Sequence, residues 1–149
     1  MDNRKQSKQS DRLIFLGLIL FLLGLIIGLF VQNMANPRMA LSAHLEGIMN
    51  GMFLMVLGLI WQRLSLTPSK LNVAYGLAVY GTFANLLAVL IAAITGFGKM
   101  MPIAGGEQGT ALLEGLISFL LVTLALCMIA LCILVLAGFY GNLKNRDTH

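Results

Sequence analysis

Four long apolar runs separated by short polar stretches make up most of this 149-residue chain. Leu13 to Val31 carries no charged residue and is long enough to cross a hydrocarbon core of about 30 Å as a helix. It exceeds a signal-peptide apolar region and no small-x-small cleavage pattern follows, so it reads as a retained helix. Asn36 and Pro37 form a start signal for a second helix: asparagine caps, and proline's missing N–H is unpaired at the first helical position anyway. That helix is expected over 37–61, ending on Trp61, an aromatic suited to a membrane interface. A polar turn from Gln62 to Lys70 leads into a third helix over 71–96. A loop from Phe97 to Gly109 precedes a fourth over 110–140, longer than a crossing needs and so tilted or projecting. The pattern predicts an all-α integral membrane four-helix bundle, one domain over 13–140. It is flanked by a basic, frayed tail (1–12) and a polar tail (141–149).

Composition agrees with the pattern. The chain is 58% apolar and 11% charged, where soluble domains average about 25% charged. The net charge of +4 comes from residues at the ends of the apolar runs, which suits anchoring in a bilayer and leaves no case for nucleic acid. Four crossings put both termini on one side. The tails and the 62–70 turn carry Arg4, Lys5, Lys8, Arg12, Arg63, Lys70, Lys144 and Arg146, against Arg38 and Lys99 in the other two loops. The positive-inside rule therefore places both termini in the cytoplasm. Cys127 and Cys132, five apart in one apolar run, fall on different helix faces and read as small buried core residues.

Two further regularities concern packing. Gly17, Gly24 and Gly28 share a helix face on which a neighbour can approach closely. The stretch Ser42-Ala43-His44-Leu45-Glu46-Gly47-Ile48-Met49-Asn50 parallels Thr110-Ala111-Leu112-Leu113-Glu114-Gly115-Leu116-Ile117-Ser118, which points to a duplicated helical hairpin. Glu46 and Glu114 hold matching places near their helix starts, where the helix dipole favours a carboxylate. His44 matches Leu112, so the hairpin does not need a histidine there.

His44 is therefore the first candidate for chemistry. Ionisable groups within a membrane segment are functional candidates by default. Either it ligates a metal, or it is an interface histidine bonded to a backbone carbonyl. A zinc site wants three or four protein ligands, and His149 lies in the tail. Haem needs only one or two. At about 100° per residue, His44, Gly47, Gly51 and Gly58 form one stripe, which suits either a flat macrocycle or tight helix packing. Glu46 and Asn50 lie on another face, well over 100° away, so two neighbouring chains rather than one would bring His44 and Asn50 to a common point. Asn85, in mid-helix three, is a second deep polar residue, with Tyr80 and Thr82 on a possible shared track. No nucleophile–base pair, phosphate loop or dinucleotide fingerprint is present.

The run Asn36-Pro-Arg-Met-Ala-Leu-Ser-Ala-His44-Leu-Glu-Gly-Ile-Met-Asn50-Gly51 resembles hydroxylaminobenzene mutase, a small four-helix bacterial membrane enzyme. So do Tyr80-Gly-Thr-Phe-Ala-Asn85 and Met100-Met101-Pro102-Ile103-Ala104-Gly105-Gly106, and the likeness extends from Leu13 to Leu143. More distantly, Ala43-His44 followed by Asn50-Gly51 is similar to styrene oxide isomerase, a trimeric membrane isomerase in which this His ligates haem b and this Asn lies at the substrate pocket. Styrene oxide isomerase carries a pocket Tyr four residues after its helix-three Asn, where this chain has Val89. The resemblance implies a homotrimer in the bacterial inner membrane with the site between subunits. It implies His44 as haem iron ligand beside Gly47 and Gly51, and Asn50, Asn85 and Tyr80 as catalytic candidates. The implied reaction converts a small aromatic hydroxylamine to an ortho-aminophenol, with haem iron as Lewis acid. Alternatives are an epoxide isomerase, a haem-binding membrane protein without isomerase activity, and a small transporter subunit lined by Asn50, Asn85 and Glu114.

Overall fold

The computed structural model describes residues 3–146. Four helices follow in order: α1 (Asn3–Leu29), α2 (Pro37–Ile60), α3 (Pro68–Thr95) and α4 (Ala111–Arg146). Each is long and apolar enough to cross a membrane, so the chain has the all-α architecture of a multi-pass membrane protein. A parallel bridge between Phe97 and Glu107 is the one strand-like pairing among the described residues. The hairpin α1–α2 packs on the hairpin α3–α4 mainly through α2 and α3.

The α1–α2 contact is made by backbone. A Cβ placed on Gly47 would sit 2.5 Å from Gly24 Cα, and one on Gly51 would sit 2.7 Å from the Gly17 carbonyl oxygen. Apolar side chains gain little by leaving lipid for another helix, so membrane helices associate through close van der Waals contact between small residues. The expected glycine face of α1 is thus matched, residue against residue, by the glycine stripe of α2.

Residues 3–12 are helical rather than frayed. The segment lacks Gly and Pro and contains good helix formers, and its polar residues are used. Gln6 Nε2 donates to the Trp61 carbonyl at 2.8 Å, and Ser10 Oγ donates to the Gly58 carbonyl at 2.7 Å. Gln9 accepts from Trp61 Nε1 at 3.2 Å and donates to Asn72 at 2.9 Å. Buried polar groups need such partners. Trp61 itself is fully buried beneath α1.

At the other end, Asn36 caps α2 by accepting from the backbone N–H groups of Arg38 and Met39, both at 3.1 Å. Its backbone N–H reaches the Ala93 carbonyl of α3, and its Nδ2 donates to the Ala104 carbonyl. One residue thereby joins the start of α2, the end of α3 and the 97–109 loop. Gly96 ends α3 with φ 77°, a left-handed conformation that glycine adopts without strain. The expected tail begins later than 141, because α4 continues to Arg146; residues 147–149 lie outside the described residues. α4 is the least buried helix. For that reason Cys132 is exposed and Cys127 only half-buried, which corrects the expectation of core cysteines.

Gly47→Ala is expected to lower stability by about 1–3 kcal/mol, the usual cost of overpacking. Gly76, which has nothing within 4 Å of a Cβ, should accept alanine with no loss, since Ala is the better helix former. Thermal unfolding of the two variants in the same detergent checks the contrast.

Candidate active site

Two chemically distinct places lie on α2, on opposite sides of the helix. The first is His44. Its Nδ1 is 2.7 Å from the Gly24 carbonyl oxygen of α1. A carbonyl can only accept, so Nδ1 carries a proton, and in the neutral imidazole Nε2 keeps its lone pair. The ring is half-buried. Gly28 makes room for it: a Cβ there would sit 2.5 Å from Nδ1. A histidine with one nitrogen held by a carbonyl and the other left basic is arranged as a metal ligand is.

The second place is a carboxylate–amide cluster between α2 and α3. Glu46 Oε2 accepts from Asn85 Nδ2 in a short hydrogen bond and from Asn50 Nδ2 at 3.3 Å. Asn50 is buried and also donates to the Thr82 carbonyl at 3.4 Å. Asn50 and Glu46 are four residues apart on α2, the spacing at which helical side chains meet. Glu46 and Asn85 face an open-sided cavity of about 580 Å³ bordered by Met100, Met101, Pro102 and Ile103 of the 97–109 loop. Its remaining wall includes Met39, Val89 and Leu121, with Ser42 and Arg38 toward the loop end. It is an apolar chamber with a few converging polar groups, the usual form of a small-molecule site.

A family profile described as styrene oxide isomerase matches residues 9–140. Two relatives come from Ectopseudomonas oleovorans. Hydroxylaminobenzene mutase HabB is 53% identical over 93% of this chain and 86% of its own length. Hydroxylaminobenzene mutase HabA is 45% identical over 82% of this chain and 92% of its own length. The chain belongs to the styrene oxide isomerase family. No solved structure matches it.

Within this member of the styrene oxide isomerase family, the residues singled out in the sequence separate into groups. Asn50 and Asn85 meet at Glu46, though Asn50 stands behind the carboxylate while Asn85 lines the cavity. Tyr80 is not brought to them. Its hydroxyl pairs with Thr123 of α4 at 2.6 Å, and its ring borders a wholly apolar groove with Leu23, Phe83 and Leu87. Thr82 likewise turns its hydroxyl back on its own helix, to the Ala78 carbonyl. Gly47 and Gly51 are covered by the backbone of α1, where they serve helix packing.

Glu46 is the residue that sequence reasoning passed over, because the helix dipole alone accounted for a carboxylate near a helix start. Its four-residue spacing from Asn50 was the available signal. Glu114, its counterpart in the repeat, has the structural job: it accepts from the backbone N–H groups of Lys99 and Gly109 and pins the loop. Among the described residues no group of three His, Cys, Asp or Glu side chains is placed to hold a metal ion. Any metal held at His44 must therefore bring most of its own ligands.

Gly28→Ala should push the imidazole off the Gly24 carbonyl, at a cost of about 0.5–1.5 kcal/mol for the lost bond. Nitrogen NMR of the labelled histidine checks it: an Nδ1–H tautomer in the parent chain, a mixture of tautomers in the variant.

Proposed function

We propose that this chain is a multi-pass isomerase of the bacterial inner membrane, with both termini cytoplasmic, that converts N-arylhydroxylamines to ortho-aminophenols. The observation that carries the reading is the 53% identity to a hydroxylaminobenzene mutase across 93% of the chain. The chamber beside Glu46 and Asn85 supports it, being large enough for a single aromatic ring and lined mostly by apolar side chains. Aryl hydroxylamines partition into lipid, so a chamber within the bundle receives them where they accumulate.

His44 is the residue that would hold a haem iron. Its Nδ1 is anchored on Gly24, no hydrogen bond reaches its Nε2 among the described residues, and a porphyrin would supply the four further ligands that the chain lacks. Haem iron bound there would supply Lewis-acid chemistry at the N–O group. His44 points toward α1 while the chamber opens toward α3. We therefore assign the complete site to the junction of two subunits, His44 from one and the chamber from the next, in a homotrimer. Asn85 orients the polar end of the substrate, and Asn50 holds that arrangement from behind. The aliphatic and methionine wall keeps water from the electron-poor ring carbon during hydroxyl migration. The epoxide-isomerase alternative relies on a phenol one turn beyond Asn85, and Val89 occupies that part of the wall.

Purified protein given phenylhydroxylamine without reductant is expected to yield 2-aminophenol. Oxygen-18 in the starting hydroxyl should be retained, since transfer is intramolecular. His44→Ala should lose any haem absorption band together with at least about a hundredfold in kcat, the scale of removing a principal transition-state stabiliser. An inert parent protein, or product carrying solvent oxygen, would overturn the reading.

A further inference from the structure

The corner formed by Glu46 and Asn85 has a hydrogen-bonding polarity of its own. Asn50 and Asn85 both direct Nδ2 at Glu46 Oε2. A carboxylate accepts and an amide donates only through nitrogen, so these bonds fix which way each amide faces. Among the described residues no hydrogen bond reaches Glu46 Oε1 or the Oδ1 of either asparagine, and no side-chain nitrogen or oxygen is sealed away without a partner. These oxygens therefore lie on accessible surface, and Glu46 and Asn85 both belong to the chamber wall. Among the described residues the corner thus offers two unpaired acceptor oxygens, Glu46 Oε1 and Asn85 Oδ1, against one unused amide hydrogen, the second on Asn85 Nδ2. Ser42 can donate or accept, and the one lining side chain that can only donate is Arg38. Arg38 lies eight residues before Glu46, about 12 Å away along the α2 axis.

We propose that Glu46, with Asn85 held in register by it, is the specificity-determining residue for the hydroxylamino group. Its carboxylate and the Asn85 carbonyl oxygen accept the N–H and O–H hydrogens of an N-arylhydroxylamine. They reject arenes whose nitrogen carries oxygen but no hydrogen. A nitro group in this corner sets its own lone pairs against the Glu46 carboxylate and has no hydrogen to offer it. Sites built around buried hydrogen-bonding groups reject partners that leave those groups unpaired far more strongly than apolar sites reject a change of size. The inference rests on the reading of the chamber as the substrate site.

Equilibrium dialysis of the full chain in detergent, corrected against protein-free micelles, compares phenylhydroxylamine with nitrobenzene, and turnover is followed on the same sample. The parent is expected to favour phenylhydroxylamine by at least about tenfold. Glu46→Gln introduces an N–H donor at the same place and should collapse that ratio by about tenfold or more, raising KM more than it lowers kcat. Partition into micelles is the same for both proteins and cancels from the comparison. Glu46→Asp, which remains an acceptor, should keep the preference with weaker binding, and it carries the test if Glu46→Gln is not recovered folded. A parent without preference, or a Glu46→Gln or Glu46→Asp protein that departs from these ratios, overturns the assignment. A parent that discriminates but does not turn over overturns the isomerase reading and leaves Glu46's selectivity standing. A parent that binds neither compound overturns both.

Discussion

Everything at the site depends on how closely the backbone of α1 approaches α2. In lipid that approach has no hydrophobic drive behind it, so it must come from contact between surfaces stripped of side chains. The glycine pairs at Gly24 and Gly47 and at Gly17 and Gly51 supply those surfaces. Their spacing brings a peptide carbonyl of α1 within hydrogen-bond reach of His44, and Gly28 leaves the imidazole a place to lie. The same contact commits one side of α2 to α1. The opposite side is thereby turned to α3, where Glu46 finds Asn85.

α2 is in consequence a two-sided reagent shelf. One side holds a basic nitrogen with a fixed tautomer; the other holds a carboxylate with its amides and a chamber. A carboxylate is costly within a bilayer, and here neutral amides offset part of that cost while leaving one carboxylate oxygen uncommitted. Arrangements of this kind are specific because each polar group has a single satisfied geometry, and loss of one partner strands the others. The 97–109 loop forms one border of the chamber, tied down by Asn36 at one point and by Glu114 at another.

The architecture was readable because long uncharged runs and one Asn-Pro start signal permit few alternatives in a membrane. The four spans, the glycine face of α1 and the separation of His44 from Asn50 around α2 all follow from spacing alone. What spacing could not convey was which polar residues would find partners across helices. Residues 3–12 look like a solvated tail until Gln6, Gln9 and Ser10 are seen meeting the far end of α2. Tyr80 and Asn85 look like one polar track, but helix rotation carries Tyr80 to Thr123 and Asn85 to Glu46. Cys132 looks like core until α4 is found at the edge of the bundle.

The parallel between the two helix starts shows one residue type doing two jobs. Glu46 and Glu114 enter their helices at corresponding places, and each carboxylate accepts hydrogen bonds from nitrogen. At Glu114 the donors are loop peptides, and the outcome is a fastened connection. At Glu46 the donors are side-chain amides, one of them on the wall of a cavity, and the outcome is a polar corner in that cavity. The difference lies in what stands opposite rather than in the glutamate. Leu112, the counterpart of His44, is largely exposed on a helix with little covering it. The hairpin of α3 and α4 thus has no equivalent of the histidine site; it contributes Asn85 and the loop that borders the chamber. Both the histidine and the glutamate cluster are thus built on α2, and that asymmetry sets the two hairpins apart.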